Sequence, residues 1–346
     1  MTGTEFAVRL PNAPAIPGLE FRHWRGFDDL PGMAAVNQRT RDEAGVEERL
    51  SIESMTATYS NLDNCDLGRD LLVVERDGRT IGYVRVEWRN LTNGRRQFVS
   101  FGVVDPAERG RGIGQAMLTW SEGRLAEIAA AVEDDRPGEM FSYTFSNDDN
   151  GTSLLEENGW TAVARGYEMV RPTLDDIPDI AIPVGLEVRD VDGTDRRKVW
   201  EAAREAFRDH RDEQEWTDRD WEQFLVEFPD HSLWVVAFDG DEVAGGVLNS
   251  IDDEANRQHR RTRGAVGSVW TGARWRRRGV ARALVARSLA LLRDRGMTSA
   301  YIGVDGANPN QAMDLYASVG FEVSTSTIDW RKPLPTAGSG PKGEAT

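Results

Sequence analysis

The chain repeats itself over a long period, and this limits the architectures open to it. GLEFR at Gly18–Arg22 returns as GLEVR at Gly185–Arg189, an offset of 167, and RGRGIGQAML at Arg109–Leu118 returns as RRRGVARALV at Arg276–Val285 with the same offset. Between these, LLVVERDGRTIGYV (Leu71–Val84) echoes LWVVAFDGDEVAGGV (Leu233–Val247), and near the ends of the two halves ENGW at Glu157–Trp160 echoes SVGF at Ser318–Phe321. In both copies the glycine of this last match is followed thirteen residues later by a proline, Pro172 and Pro333. Matches that recur in one order imply a duplicated domain, because the period far exceeds the roughly 20–50 residues of a solenoid repeat. At roughly 150 residues per domain, 346 residues also give two domains, each large enough for its own core.

The repeat places a first domain at 1–172 and a second at 185–334. The linker Pro172–Val184 carries three prolines and no helical period. The tail 335–346 (PTAGSGPKGEAT) lacks any large apolar residue and is expected to be disordered. Within each copy a strand leads into a helical stretch, Asp195–Phe228 in the second. Two strands then flank Asp77-Gly78 or Asp239-Gly240, a strong hairpin signal. A third strand (Gln97–Val104; Ala265–Gly272) runs into an Arg/Gly loop and a long helix (Ile113–Val132; Val280–Arg295), before a further strand, a short helix and a last strand. This order predicts an α+β fold layered α/β/α, with a central mixed sheet flanked by helices in each domain.

Charge and composition narrow the function. The net charge of −16 (42 Lys+Arg against 58 Asp+Glu) repels phosphate backbones and anionic membranes, so nucleic acid and membrane are not expected partners, whereas a cationic small molecule suits the field. No apolar run reaches membrane-span length, and the single cysteine, Cys65, cannot form an internal disulfide. With no signal-peptide pattern at the N-terminus, a cytoplasmic location is expected. The four histidines, His23, His210, His231 and His259, have no metal-ligand spacing, so no metal is expected.

The Arg/Gly loops carry the chemistry. RGRGIG (Arg109, Gly110, Arg111, Gly112, Ile113, Gly114) and RRRGVA (Arg276, Arg277, Arg278, Gly279, Val280, Ala281) each lie between a strand and a helix. Free N–H groups at a helix N-terminus, the helix dipole, glycines that admit close approach and flanking arginines together suit a diphosphate. A purely structural turn is the alternative for any one such loop, but two copies in one context argue against it. A Rossmann fingerprint or a Walker loop would need residues that are absent.

The pattern Arg-x-x-Gly-x-Gly/Ala in both loops resembles the acyl-CoA pyrophosphate loop of the GNAT N-acetyltransferase superfamily, and NPNQAMDLYASVGF (Asn308–Phe321) is similar to that superfamily's next motif. Through AFRDH (Ala206–His210), WTDRD (Trp216–Asp220) and WTGARWRRRG (Trp270–Gly279), the second half resembles the tandem mycothiol synthase group. The resemblance implies an acetyl-CoA-dependent acetyltransferase acting on the primary amine of a small molecule by direct transfer, and it allows a homodimer. It implies that the backbone of Val269, Trp270 and Thr271 pairs with the pantetheine and polarises the thioester, with Val103, Val104 and Asp105 as first-half equivalents. Asn308 would contact the cofactor, Asn147 would fill its slot in the first half, and Tyr316 would be the general acid.

Two departures stand out. Counting back from Gly159 as Tyr316 is counted from Gly320 gives Leu155, which has no proton to donate, so the first domain is expected to bind coenzyme A at most. In mycothiol synthase a carboxylate lies on the strand entering the loop, and Ala265 stands there. Asp252, Asp253 and Glu254 could act through water but fit a solvated turn equally. The general base stays open. So do two other functions: mycothiol synthase itself, whose acceptor is a cysteinyl pseudo-disaccharide, and a non-catalytic coenzyme A sensor. The aromatics Trp200, Phe207, Trp216, Trp221 and Phe224 read mainly as core, beside Asp209, Asp212, Glu213 and Glu215, which would suit a cationic amine.

Overall fold

The computed structural model of the chain describes residues 6–46, 52–132, 134–208, 210, 213–306 and 312–335. The first copy runs β1 (Ala7–Val8), β2 (Leu19–His23), α1 (Leu30–Ala44), α2 (Ile52–Ser60), α3 (Leu67–Asp70), β3 (Leu71–Arg76), β4 (Arg79–Asn90), β5 (Arg96–Val104), α4 (Ile113–Ala131), β6 (Gly138–Phe145), α5 (Asp149–Glu157) and β7 (Thr161–Arg171). The second runs β8 (Glu187–Arg189), α6 (Asp195–Phe207), α7 (Asp218–Glu227), β9 (Trp234–Asp239), β10 (Glu242–Ser250), α8 (Asp253–His259), β11 (Arg263–Thr271), α9 (Val280–Asp294), β12 (Ser299–Asp305), α10 (Ala312–Ala317) and β13 (Glu322–Pro333). Asp77 and Gly78 both take positive φ, as a two-residue hairpin turn requires. The single helical stretch expected over Asp195–Phe228 is two helices.

The compact units follow the sheets, not the repeat. One is Met1–Ala164 with Thr327–Thr346, the other Arg165–Ser326. In the first, β1 to β6 pair in sequence order and Thr327–Pro333 of β13 adds antiparallel to β6, with Ile328 opposite Thr144. In the second the order is β8, β9, β10, β11, β12, and Gly166–Arg171 of β7 adds antiparallel to β12. Each copy thus supplies the closing strand of the other's sheet. The register is anchored by burial: Ile328 and Trp330 enter the core of the first unit with Leu125 and Met140, and Met169 enters that of the second with Leu284 and Leu289.

In each unit, one sheet face buries a helix pair and the other face a second pair. Leu72, Val74 and Ile113 pack with Met117 of α4, while Met33, Met55 and Tyr59 of α1 and α2 cover Val73 and Tyr83 from the other side. The second unit repeats this with Val280, Leu284 and Leu289 of α9 on one face and Trp200, Phe224 and Phe228 on the other. Between the closing strand of the first copy and the second repeat, Leu174, Ile177, Ile180 and Ile182 pack on the core of the second unit without regular structure. Chains 1–172 and 185–346 expressed apart would each carry a closing strand whose sheet is missing. Neither is expected to give a cooperative thermal transition by circular dichroism, and a sharp transition in either alone would show that the exchange is dispensable.

Candidate functional site

Both Arg/Gly loops take one backbone path. Gly112 and Gly279 are the N-caps of α4 and α9, with φ of 82° and 83° and no side chain capping the free amides behind them. A Cβ on Gly279 would meet nothing within 4 Å, so the space beside this cap is open, whereas a Cβ on Gly112 would touch Pro14 at 3.6 Å. Two residues earlier, Gly110 has φ 70°, and its counterpart Arg277 holds φ 63° although it is not glycine. The left-handed region costs a non-glycine residue about 1–2 kcal/mol. Arg277→Gly should therefore gain roughly 0.5–1 kcal/mol after the entropy of the added glycine is subtracted, and a thermal melt would read this as a rise of a few degrees.

The arginines divide their work. Arg109 Nε donates to the Val104 carbonyl at 3.3 Å, and Arg276 Nε to the Thr271 carbonyl at 3.2 Å, the same bond 167 residues apart. Arg109 also meets Glu43 at 2.5 Å and Asp148 at 3.3 Å, and Arg276 meets the Ala206 carbonyl at 3.0 Å. These two brace the loop against its strand. Arg111 pairs with Glu108 at 3.1 Å and Arg278 reaches the Val184 carbonyl at 3.4 Å, while Arg277 is exposed and makes no contact of this kind among the described residues.

Beside each loop the sheet opens. Strands β5 and β6 run parallel and pair only from Arg96 to Val99, and β11 and β12 pair only from Arg263 to Ala265. Beyond those points β5 and β11 keep their antiparallel partner on one side and present a bare edge on the other. The Gly272 amide donates to the Ala244 carbonyl at 2.9 Å. Because ladder amides alternate in direction, those of Thr271 and Val269 point to the bare edge and that of Trp270 points into the sheet. Likewise the Asp105 amide donates to the Ile81 carbonyl at 2.8 Å. The 167-residue offset and this alternation match Val269–Thr271 with Gly102–Val104, so Val104 and Gly102 turn outward, Val103 turns inward, and Asp105 lies one residue beyond the equivalence read from the sequence. The Asp105 carboxylate is buried against Arg39 at 2.9 Å.

The two bare edges differ in one respect. Strand β5 pairs with β4 without interruption, but β11 carries a bulge: Leu248 faces Ser268, Asn249 faces Val266, and Gly267 is extra. Only glycine fits there, since a Cβ would come within 2.7 Å of both the Leu248 carbonyl and the Phe228 ring. A bulge bends the strand and redirects the backbone after it.

Tyr316 lies on α10, buried, its ring 6.0 Å from that of Phe321 and edge-on to it. Burial pushes its phenol above the ordinary value, so it remains protonated through neutral pH. The helix ends in a Schellman motif: the Phe321 amide donates to the Tyr316 carbonyl at 3.0 Å and the Gly320 amide to the Ala317 carbonyl at 3.0 Å. In the other unit Trp160 donates to Leu155 and Gly159 to Glu156, both at 3.0 Å. The buried Leu155 is thus the geometric counterpart of Tyr316.

In the first unit the open edge and the loop line one cavity of about 540 Å³. Its walls include Ser100–Val104, Arg109, Gly112 and Gly114, with Ser142–Phe145 and Leu155 opposite and Asn37, Thr40 and Arg41 at one end. Gly114 admits Leu154 of α5, which a Cβ would approach to 3.2 Å. Asn147 donates to the Ala44 carbonyl at 3.3 Å. Asn308, Asp209, Asp212 and residues 336–346 lie outside the described residues. On the α6/α7 face of the second unit, Trp200 and Phe224 are buried, Phe207, Trp216 and Trp221 pack on them, and the His210 ring stands 4.8 Å from that of Phe207. Asp252 caps α8 by accepting from the Ala255 amide at 2.8 Å, and Ala265 pairs with Tyr301 in the sheet. Among the described residues no cluster of potential ligands could hold a metal, and no helix is long and apolar enough to cross a membrane.

Cys65 is half-buried, and desolvation pushes its thiol up to about 12. At pH 8 its thiolate fraction is on the order of 10⁻⁴, so it should resist Ellman's reagent until urea unfolds the chain. Rapid labelling of the native protein would contradict that raised thiol pKa.

Comparison with known proteins places these features. A model of the Acetyltransferase (GNAT) family matches residues 196–321, and one described as Acetyltransferase (GNAT) domain matches residues 68–161. The mycothiol acetyltransferase of Geodermatophilus obscurus is 29% identical over 279 residues, covering 77% of this chain and 82% of that protein. That of Nocardiopsis dassonvillei is 28% identical, covering 68% and 74%. Among solved structures, a GCN5-related N-acetyltransferase from Sphaerobacter thermophilus superposes with a TM-score of 0.73 at 24% identity over 94% of this chain and 97% of that one. A tandem GNAT protein from the clavulanic acid biosynthesis pathway superposes at 0.65 and 15% identity, covering 92% and 99%.

Proposed function

Because the chain belongs to the GNAT acetyltransferase family and carries two copies of its domain, we propose that the second unit moves acetyl from acetyl-CoA directly to the primary amine of a small cytoplasmic molecule, while the first unit binds coenzyme A without chemistry. The observation that carries this reading is the combination, in the second unit alone, of an open strand edge, a bulge at Gly267, an uncapped helix N-terminus and a buried tyrosine that burial keeps protonated.

The diphosphate would lie over the free amides behind Gly279, with Arg277 and Arg278 adding charge. The pantetheine would continue the sheet along the bare edge, and the Val269 and Thr271 amides would donate to it and to the thioester oxygen, where negative charge develops. The neutral amine nitrogen attacks the thioester carbon, the C–S bond breaks, nitrogen loses a proton and sulfur becomes a thiol. A tyrosine near 10 and a thiol near 8.5 already make complete proton transfer uphill by roughly 2 kcal/mol. Burial raises the Tyr316 phenol further, which favours a hydrogen bond to the departing sulfur over outright transfer.

Ala265 offers no base on the strand, and Asp252 is committed to a helix cap. On the reading that the amine arrives already neutral, kcat/KM should rise with pH along the titration of whichever amine is supplied. An acidic limb at one fixed pH for amines of different basicity would instead require a protein base. The acceptor of mycothiol synthase is a second reading, supported by the mycothiol acetyltransferase relatives and opposed by Ala265. Thiol release from acetyl-CoA across an amine panel that includes a cysteinyl-glucosaminyl-inositol separates the readings. Tight coenzyme binding with no turnover on any amine would favour a sensor.

A further inference from the structure

Tyr316 lies on the last turn of α10, just before the Schellman turn that closes the helix. We infer that Arg171 is a positioning residue for Tyr316, an inference that rests on the reading of Tyr316 as the group that hydrogen-bonds the leaving sulfur.

Arg171 is the last residue of β7, the strand that the first copy contributes to the second sheet, and it faces Ala300 of β12. Its side chain is only 5% exposed. One guanidinium nitrogen, Nη1, donates to the Val319 carbonyl, and Nη2 donates to Asp176 at 2.7 Å. Val319 lies in the turn that closes α10, where its amide and that of Phe321 both donate to the carbonyl of Tyr316, at 3.1 and 3.0 Å. Arg171 therefore grips the turn whose amides hold Tyr316. Gly320 makes room for this grip: its φ is +87°, and a Cβ there would overlap Nη1. Among the described residues the first unit lacks the device. At the same place near the end of its closing strand, Lys332 bonds Glu122 on α4, and the turn after α5 receives no such donor from it. A buried cation held by one carbonyl and one carboxylate does more than fill space. Its fork ties the Val319 carbonyl to Asp176 through two nitrogens of one rigid plane, which the single ammonium of lysine does not match.

The test is a double-mutant cycle in thiol release from acetyl-CoA, using the amine that the wild type turns over fastest. Arg171→Met should lower kcat about 10- to 30-fold while the dissociation constant of coenzyme A stays within threefold. In a Tyr316→Phe background the same change should cost less than a further twofold. Equal losses in both backgrounds would overturn the inference and leave Arg171 a purely structural residue. If Arg171→Met does not fold, the cycle is read with Arg171→Lys. Amide exchange supplies a readout apart from activity: in Arg171→Lys, Val319, Gly320 and Phe321 should exchange at least tenfold faster while α9 is unchanged, and unchanged exchange in that turn would also overturn it. Should Tyr316→Phe alone keep full activity, the reading of Tyr316 fails, and the inference fails with it whatever Arg171 does.

Discussion

Replacing Tyr316 with phenylalanine should lower kcat about 10²-fold and leave KM for acetyl-CoA within a few-fold. The ring stays packed against Phe321, and burial of the apolar surface is retained, so stability should be little altered. Only the donor is removed, at the moment negative charge gathers on sulfur, and proton-type assistance of this sort is typically worth about 10²–10⁴ in rate. Because burial holds the phenol protonated, wild-type kcat should show no alkaline fall due to Tyr316 below about pH 10. The reciprocal change, Leu155→Tyr, should create no second active unit, since β5 has no bulge to redirect its amides.

A valine at Gly279 should weaken coenzyme A binding to the second unit by about 10²–10³-fold. Two effects combine. A left-handed backbone costs a β-branched residue about 1–2 kcal/mol or forces the loop to change path. The new side chain would also stand in the open space beside the cap of α9, next to its free amides, and charge-assisted hydrogen bonds lost there are worth roughly 1.5–3 kcal/mol each. Gly112→Val should do the same for the first unit and leave turnover largely intact. Calorimetry on the two variants should therefore each remove one of two sites, with only Gly279→Val abolishing the reaction. Loss of turnover in Gly112→Val with normal binding in the second unit would reverse the assignment.

Much of this was legible in the residues. The repeat set the element order, Asp77-Gly78 set the first hairpin, and the Arg/Gly loops marked the turns from strand to helix, whereas the left-handed caps at Gly112 and Gly279 are seen only in the structure. The place of Leu155 opposite Tyr316 was equally countable, since the same Schellman turn ends both helices. The strand exchange was not. Strands β7 and β13 occupy matching places in the two copies, so nothing in either segment records which sheet it joins, and Arg171 therefore gave no sign of its role at Val319. The inward turn of Arg109 and Arg276 was also hidden. An arginine that braces a strand carbonyl and one that awaits a phosphate look alike in sequence. The bulge at Gly267 has no clear mark in the sequence, because a lone glycine in a strand signals a bulge only weakly, and the Phe228 ring and Leu248 carbonyl that demand glycine there belong to distant elements.

A crystal structure with acetyl-CoA tests the central claim most directly. The diphosphate should sit on the amides behind Gly279, the pantetheine should run beside Val269 and Thr271, and the thioester sulfur should lie within hydrogen-bond reach of the Tyr316 hydroxyl. Acetyl-CoA bound solely in the first unit's cavity, or with its thioester far from Tyr316, would contradict the account.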